Sequence, residues 1–73
     1  MNRFEETRTA IFDQLRKLKA DPSMPINLLE IGPSLVAAGY EQNEIVNTLF
    51  HLEEMGEIAL MEGNRVRLKK PLD

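Results

Sequence analysis

The side chains best suited to act on a partner are four cations that lie close together in sequence. They alternate in part with apolar residues, as side chains on one face of a strand do. Cations grouped in this way either contact phosphate groups, a contact that supplies much of the affinity of proteins for DNA, or keep a strand solvated and protect its edge from aggregation. We call these residues the hairpin cations: Arg65, Arg67, Lys69 and Lys70.

Residues that could carry out catalysis are scarce. His51 is the only histidine and the chain has no cysteine, so neither a thiolate zinc site nor a disulfide is available. Ser34 follows Gly32 and Pro33 and does not match the strand-turn-helix motif of a nucleophilic serine. Adjacent glutamates point in different directions on a helix and cannot share a proton. We therefore expect no enzymatic activity, no metal site and no cofactor.

The composition indicates one small binding domain. At 73 residues the chain is expected to form a single domain, 1–73, that buries roughly 60% of its unfolded surface and leaves little room for an enclosed active site. No apolar run is long enough to cross a membrane, so we expect a cytoplasmic protein without membrane contact. The net charge of -3 is unevenly distributed, because residues 20–64 contain no lysine or arginine.

A first amphipathic helix is predicted over about 3–20. Asn2 followed by Glu5 matches a capping box, and apolar residues then recur at three- and four-residue spacing. Pro22 and Pro25 prevent its continuation, because proline lacks the N–H that a helix needs. The cations near its end could widen a basic surface or could equally interact with the negative end of the helix dipole. They are Arg16, Lys17 and Lys19.

A second helix is predicted over about 28–38. Asn27 and a glutamate three residues later repeat the capping signature, and Ile26 just before them could form a short strand. Pro33 removes one backbone hydrogen bond from this helix, so we expect either a kink or a start delayed to Gly32 and Pro33. The apolar face of the helix is expected to consist of Leu28, Leu29, Ile31, Leu35 and Val36.

A third helix is predicted over about 42–55. Ile45, Leu49 and Leu52 recur on one face, and Gly56 is suited to end the helix. The helix and its first flanking residue contain no cation, and their four glutamates are Glu41, Glu44, Glu53 and Glu54. We expect the first two to interact favourably with the helix N-terminus and the last two to seek a cation.

A β-hairpin is predicted from the two-residue alternation of strands at about 57–61 and 65–70. A three-residue loop at 62–64 keeps the leucine, isoleucine and valine residues of both strands on one face, whereas a two-residue loop would mix the faces. The resulting pairs are Leu60 with Val66 and Ile58 with Leu68. Outward charges could also pair across the hairpin, Glu57 with Lys69 for instance.

Three helices followed by a hairpin resemble the winged helix-turn-helix superfamily. The most specific part of the resemblance is the run from Ile45 through Leu49 and Leu52 to Gly56 and Ile58, which looks like the pattern that docks the third helix and begins the hairpin. The resemblance covers nearly the whole chain and specifies no particular member. It implies a mainly α fold with a small β-hairpin, in the order α-α-α-β-β, with a possible short strand before the second helix.

The resemblance also implies where a partner would bind. In the superfamily the outward side of the third helix reads the major groove of DNA, and the hairpin, or wing, contacts phosphates or the minor groove. The hairpin cations match the wing. The positions that match the outward side of the third helix, called here the helix-three set, are Gln42, Asn43, Val46, Asn47, Phe50, His51 and Glu54.

The acidic character of the third helix argues against groove reading. A carboxylate ~4 Å from a phosphate costs on the order of 1 kcal/mol even in water, although Gln42, Asn43 and Asn47 could pair with adenine edges. Val46 and Phe50 lie four residues apart and away from the core stripe. Either they form an exposed contact surface, or Phe50 packs on the first helix.

Two functions of different kinds remain open. The first is a DNA-binding transcriptional regulator that contacts phosphates through the hairpin cations. The second is a protein-interaction or homodimerisation module that uses Val46, Asn47, Phe50 and Glu54 and binds no DNA. A homodimer would reconcile the two, because paired hairpins would double the cationic surface.

Overall fold

The structure is a computed structural model that describes residues 3–71, which form a mixed fold in which helices predominate. The elements within these residues are, in order, α1 (Arg3–Lys17), β1 (Ile26–Asn27), a 3-10 turn (Leu28–Glu30), α2 (Gly32–Ala37), α3 (Gln42–Glu54), β2 (Ile58–Met61) and β3 (Arg65–Leu68). Asn2, with which the predicted capping box of the first helix begins, lies outside the described residues. No helix within residues 3–71 is both long enough and apolar enough to cross a membrane.

A cluster of aliphatic side chains forms the core. α1 contributes Ile11 and Leu15, and α3 contributes the predicted stripe of Ile45, Leu49 and Leu52, all at most 5% exposed. Full burial of one such side chain stabilises a fold by about 1.5–3 kcal/mol. The other core aliphatics are Ala20, Ile26, Ile31, Leu35, Ile58, Val66 and Leu68. The core therefore joins the described α-helices to all strands of the sheet.

The hairpin pairs in the predicted register. Ile58 lies opposite Leu68 and Leu60 lies opposite Val66, which confirms the three-residue loop at 62–64. Both strands are shorter than predicted, since β2 begins at Ile58 and β3 ends at Leu68. Glu57, the residue before β2, is bonded to α3, because its N–H donates to the carbonyl of Leu52 at 3.1 Å.

A third strand supports the hairpin from the other side. Ile26 pairs with Val66, which confirms the short strand predicted near Ile26 and makes β3 the central strand. Just beyond β1, the N–H of Leu28 donates to the carbonyl of Asn64 at 2.6 Å. Asn64 has a left-handed backbone (φ 57°), which asparagine adopts more readily than most residues. The tip of the hairpin is therefore fixed to the 3-10 turn.

The first helix ends earlier than predicted. It stops at Lys17 rather than near residue 20, because Lys19 adopts a left-handed conformation (φ 57°) that turns the chain. The N–H of Ala20 then donates to the carbonyl of Leu15 at 3.0 Å, which is the bond of a Schellman motif. The helices α2 and α3 end in the same way, with glycine as the left-handed residue. α3 begins where predicted and ends one residue before its predicted end.

The second helix differs from its predicted bounds of 28–38. A 3-10 turn occupies its first part and the α-helix begins only at Gly32, so the delayed start, and not the kink, is correct. Pro33 lies in the first turn of α2, where its missing N–H costs no intrahelical bond. Asn27 caps the 3-10 turn, because its side-chain oxygen accepts the N–H of Leu29 at 2.9 Å.

We expect Lys19→Gly to stabilise the protein. A left-handed lysine is strained by roughly 1 kcal/mol relative to glycine, and the greater freedom of glycine in the unfolded chain cancels part of this gain. The free energy of unfolding should therefore rise by about 0.5 kcal/mol in urea denaturation. Lys17→Gly is the matched control, which should lower it by about 1 kcal/mol because Lys17 is helical. A loss of stability in Lys19→Gly would contradict the turn described.

Candidate binding surfaces

The hairpin cations are all exposed. Arg65 and Arg67 extend from one face of β3, whose other face buries Val66 and Leu68. Arg65 donates from Nε to the carbonyl of Glu62 at 3.3 Å. Within residues 3–71 no carboxylate forms an ion pair with any hairpin cation. Their charges are therefore available to a partner.

The predicted charge pair across the hairpin is wrong. The carboxylate of Glu57 accepts a hydrogen bond from Arg8 of α1 at 2.7 Å, so this glutamate is already engaged. Glu57 and Lys69 are joined only through the backbone, where the N–H of Lys69 donates to the carbonyl of Glu57 at 3.1 Å. The interaction with Arg8 fixes the base of the hairpin to α1 and leaves the Lys69 side chain exposed.

A shallow basic depression lies between α1 and the end of the hairpin. It has a volume of about 580 Å³, and its lining includes Arg8, Arg16 and Lys70. Arg16 lies both in this lining and in the last turn of α1, and Asp13, which also lines the depression, lies 3.4 Å from it and offsets its charge. Glu57 also lines the depression and offsets part of its positive charge.

The whole helix-three set is exposed on α3, from Gln42 to Glu54. Phe50 is 55% exposed and Val46 is 40% exposed. The alternative in which Phe50 packs on the first helix is therefore wrong. Within this set, His51 contacts α1. Its ring packs against the ring of Phe4 in an edge-type arrangement, with 4.8 Å between the ring centroids.

Glu44 is engaged within the molecule. Its carboxylate accepts two hydrogen bonds from Arg3, which also donates to the carbonyl of Gly39 at 3.1 Å and lies over the ring of Tyr40. It accepts a further bond from the N–H of Glu41 at 2.9 Å, which confirms the predicted interaction of Glu44 with the helix N-terminus. The hydrogen bond from Arg3, and next the bond from Glu41, lower the pKa of Glu44 to about 2.

Contrary to expectation, Glu53 forms no ion pair with a cation among the residues that the structure describes. Its carboxylate accepts the N–H of Leu60 in β2 at 3.0 Å. β2 is an edge strand, so the N–H groups on its outer side lack a neighbouring strand to receive them. Glu53 therefore attaches α3 to the free edge of the hairpin. Glu54, also expected to seek a cation, forms no ion pair within the described part of the chain. Glu41 is the N-cap of α3 and forms a capping box with Glu44, so it interacts with the helix N-terminus as predicted.

An apolar groove runs between the 3-10 turn, α2 and α3. It has a volume of about 620 Å³, and its lining includes buried Ile45 and Leu49. Three exposed aliphatic side chains border it: Leu29 (69% exposed), Val36 (52%) and Val46 (40%). Leu29 and Val36, predicted to belong to the apolar face of the second helix, are therefore exposed rather than part of the core. The signal for the groove was the surplus of aliphatic residues around the second helix.

No metal-binding cluster is present in the described part of the chain. Within residues 3–71 no group of three or more histidine, cysteine, aspartate or glutamate residues is arranged to hold an ion. The described residues offer three surfaces, which are the cationic hairpin, the exposed outward face of α3 and the apolar groove beside α3.

Comparison with known proteins identifies no relative, because no protein-family model, curated protein or solved structure matches the chain. The case for a function therefore rests on the surfaces just described.

We expect acid to remove the stabilising effect of Glu44. Its pKa in the folded protein, about 2, is below its ordinary value of 4.5, so its contribution is complete above pH 4.5 and is lost as the pH falls towards 2. Glu44→Gln should be less stable than the natural protein at pH 7, and the difference should shrink as the pH falls. Urea denaturation over this pH range measures it.

Glu54→Gln is the matched control for this measurement, because it removes a charge from the same helix at a position without an ion pair among the described residues. Its difference from the natural protein should vary much less with pH. A pH-independent difference for Glu44→Gln would contradict the lowered pKa.

Proposed function

We propose that this chain is a non-catalytic winged helix-turn-helix module that binds duplex DNA and acts as a cytoplasmic transcriptional regulator. Three α-helices followed by a hairpin, with an additional short strand before α2, support the assignment to the winged helix class. In this proposal the hairpin cations contact phosphates as a wing does, and α3 lies against the major groove.

The exposure of the hairpin cations carries the proposal. Four cations lie within six residues, and none forms an ion pair with a carboxylate among residues 3–71. A cation that is already paired must give up its partner before it binds a phosphate, whereas an unpaired one only displaces water and counterions. Release of counterions from DNA then favours binding.

The acidic residues of α3 oppose DNA binding less strongly than their number suggests. Glu44 is neutralised by Arg3, and Glu53 is held against the edge of β2. The outward side of α3 retains Asn43 and Asn47, four residues apart and exposed, which are suited to adenine edges. Glu54 remains an unfavourable neighbour for a phosphate.

The double variant Arg65→Ala/Arg67→Ala tests the hairpin contact. Binding to a random-sequence duplex should weaken about tenfold or more, and the slope of log affinity against log salt should fall by about 2, since each phosphate contact contributes ~0.9. Fluorescence anisotropy from about 50 to 200 mM salt measures both quantities. Lys17→Ala, which removes an exposed cation from α1, should change them little. An unchanged slope would remove the hairpin from the proposal.

A second candidate function is protein binding through the outward face of α3. The observation that favours it is the exposure of Phe50 (55%) beside Val46 (40%). Aromatic side chains are enriched at the centres of protein interfaces, where they contribute much of the binding energy. The neighbouring Asn47 and Glu54 would form the polar rim, and the partner would be a second copy of the chain or another protein.

Phe50→Asp tests the homodimer form of this candidate. If Phe50 lies at the centre of a dimer, the substitution should convert the protein to a monomer in sedimentation velocity experiments. It should change the free energy of unfolding of the monomer by no more than about 0.5 kcal/mol, because the side chain is mostly exposed. Met24→Asp, at another exposed apolar position, is the control that should preserve association. A monomeric natural protein would exclude the homodimer.

A further inference from the structure

The apolar groove beside α3 exposes more aliphatic surface than folding requires. Leu29, Val36 and Val46 are 40% exposed or more, and they border a floor of buried side chains that includes Ile45 and Leu49. Contiguous apolar surface of this kind on a small protein marks a binding site, because its exposure to water is unfavourable. A partner that covers the three side chains would bury them at no cost to the fold.

The form of the groove suits a helix better than a small molecule. Its volume of about 620 Å³ lies in the range of small-molecule pockets, roughly 300–1,000 Å³. A small-molecule site also needs several convergent polar groups, and here the polar side chains of the lining are those of Gln42 and Asn64. An amphipathic helix needs only an apolar groove to receive side chains spaced at i, i+3, i+4 and i+7.

The charge around the groove selects a cationic partner. Residues 20–64, which build the groove, contain no lysine or arginine. Exposed Glu30 and Glu41 adjoin lining residues, and neither forms an ion pair within the described part of the chain. The nearest cation in sequence is Arg65 at the hairpin end, where it donates to the carbonyl of Glu62. Complementary charge around an apolar contact steers association and excludes acidic competitors.

A second copy of this chain cannot supply that partner. Among the described helices, α1 is the one that carries lysine and arginine, and its apolar side is buried in its own core through Ile11 and Leu15. Residues 3–71 of a folded copy therefore contain no cationic helix with a free apolar face.

We infer that the groove between the 3-10 turn, α2 and α3 binds a positively charged amphipathic helix of a different protein. This inference goes beyond the protein-binding candidate above, because it concerns a different surface that shares only Val46 with it. It does not depend on DNA contact by the hairpin.

The test uses a synthetic peptide of about four helical turns, with leucine at i, i+3, i+4 and i+7 and lysine on the polar face. Titration into the isotopically labelled protein should shift the amide signals of Val36, Val46 and Leu29. A second peptide, with glutamate in place of every lysine, should bind at least about tenfold more weakly.

Substitutions then locate the binding surface. Val36→Asp should weaken binding of the lysine peptide about tenfold or more, whereas Met24→Asp, an equivalent change at an exposed position outside the groove lining, should change it less than about twofold. Both side chains are at least 43% exposed, so thermal unfolding should show that both variants remain folded.

Three results would overturn the inference. Equal affinity for the two peptides would show that the groove does not select a positively charged partner. The absence of shifts with either peptide would exclude the groove as a binding site for a helix. Shifts confined to Asn47 and Phe50 would exclude the groove but support the outward face of α3 as the protein-binding surface. None of these results bears on the hairpin, whose contact with DNA is measured separately.

Discussion

The burial of one narrow stripe of α3 determines how α1 and the hairpin pack around this helix. Ile45, Leu49 and Leu52 occupy the core together with residues from the hairpin and α1. Thr48 is buried beside this stripe and two of the glutamates are partly covered, whereas the other positions of α3 are exposed. The chain turns from α3 into the hairpin at Gly56, which has a left-handed backbone. In a domain that buries roughly 60% of its unfolded surface, no second core exists to hold the helix differently.

The polar contacts of α3 and the hairpin reinforce this arrangement and sort the charges of the chain. Arg3 and Arg8 of α1 reach Glu44 and Glu57, which are 41 and 49 residues away in sequence. Cations from the first helix thus neutralise carboxylates of the acidic middle. The cations near the end of the chain form no ion pair with a described carboxylate, so the positive charge that remains available is concentrated on the hairpin.

Sequence patterns predicted the features that depend on neighbours in the chain. The register of the hairpin followed from two-residue alternation and loop length, and the core stripe of α3 followed from helical spacing. The patterns did not predict features of the structure that depend on contacts distant in sequence or on rare backbone conformations. A left-handed lysine at position 19 is uncommon, so the early end of α1 carried no signal. The bond from Leu60 to Glu53 depends on where the edge of β2 lies against the end of α3, which spacing within the helix does not specify. Spacing placed Phe50 away from the core stripe but left open whether it packs on α1, and the structure shows it exposed.

The hydrogen bond between Leu28 and Asn64 connects two surfaces of the molecule. Asn64 lines the apolar groove and immediately precedes the first hairpin cation, so a single peptide unit borders both. A ligand that displaced this unit at one surface would alter the free energy of binding at the other, and thermodynamic linkage would make the effect equal in both directions. The hairpin tip is thus the place where the backbone joins the groove to the hairpin cations.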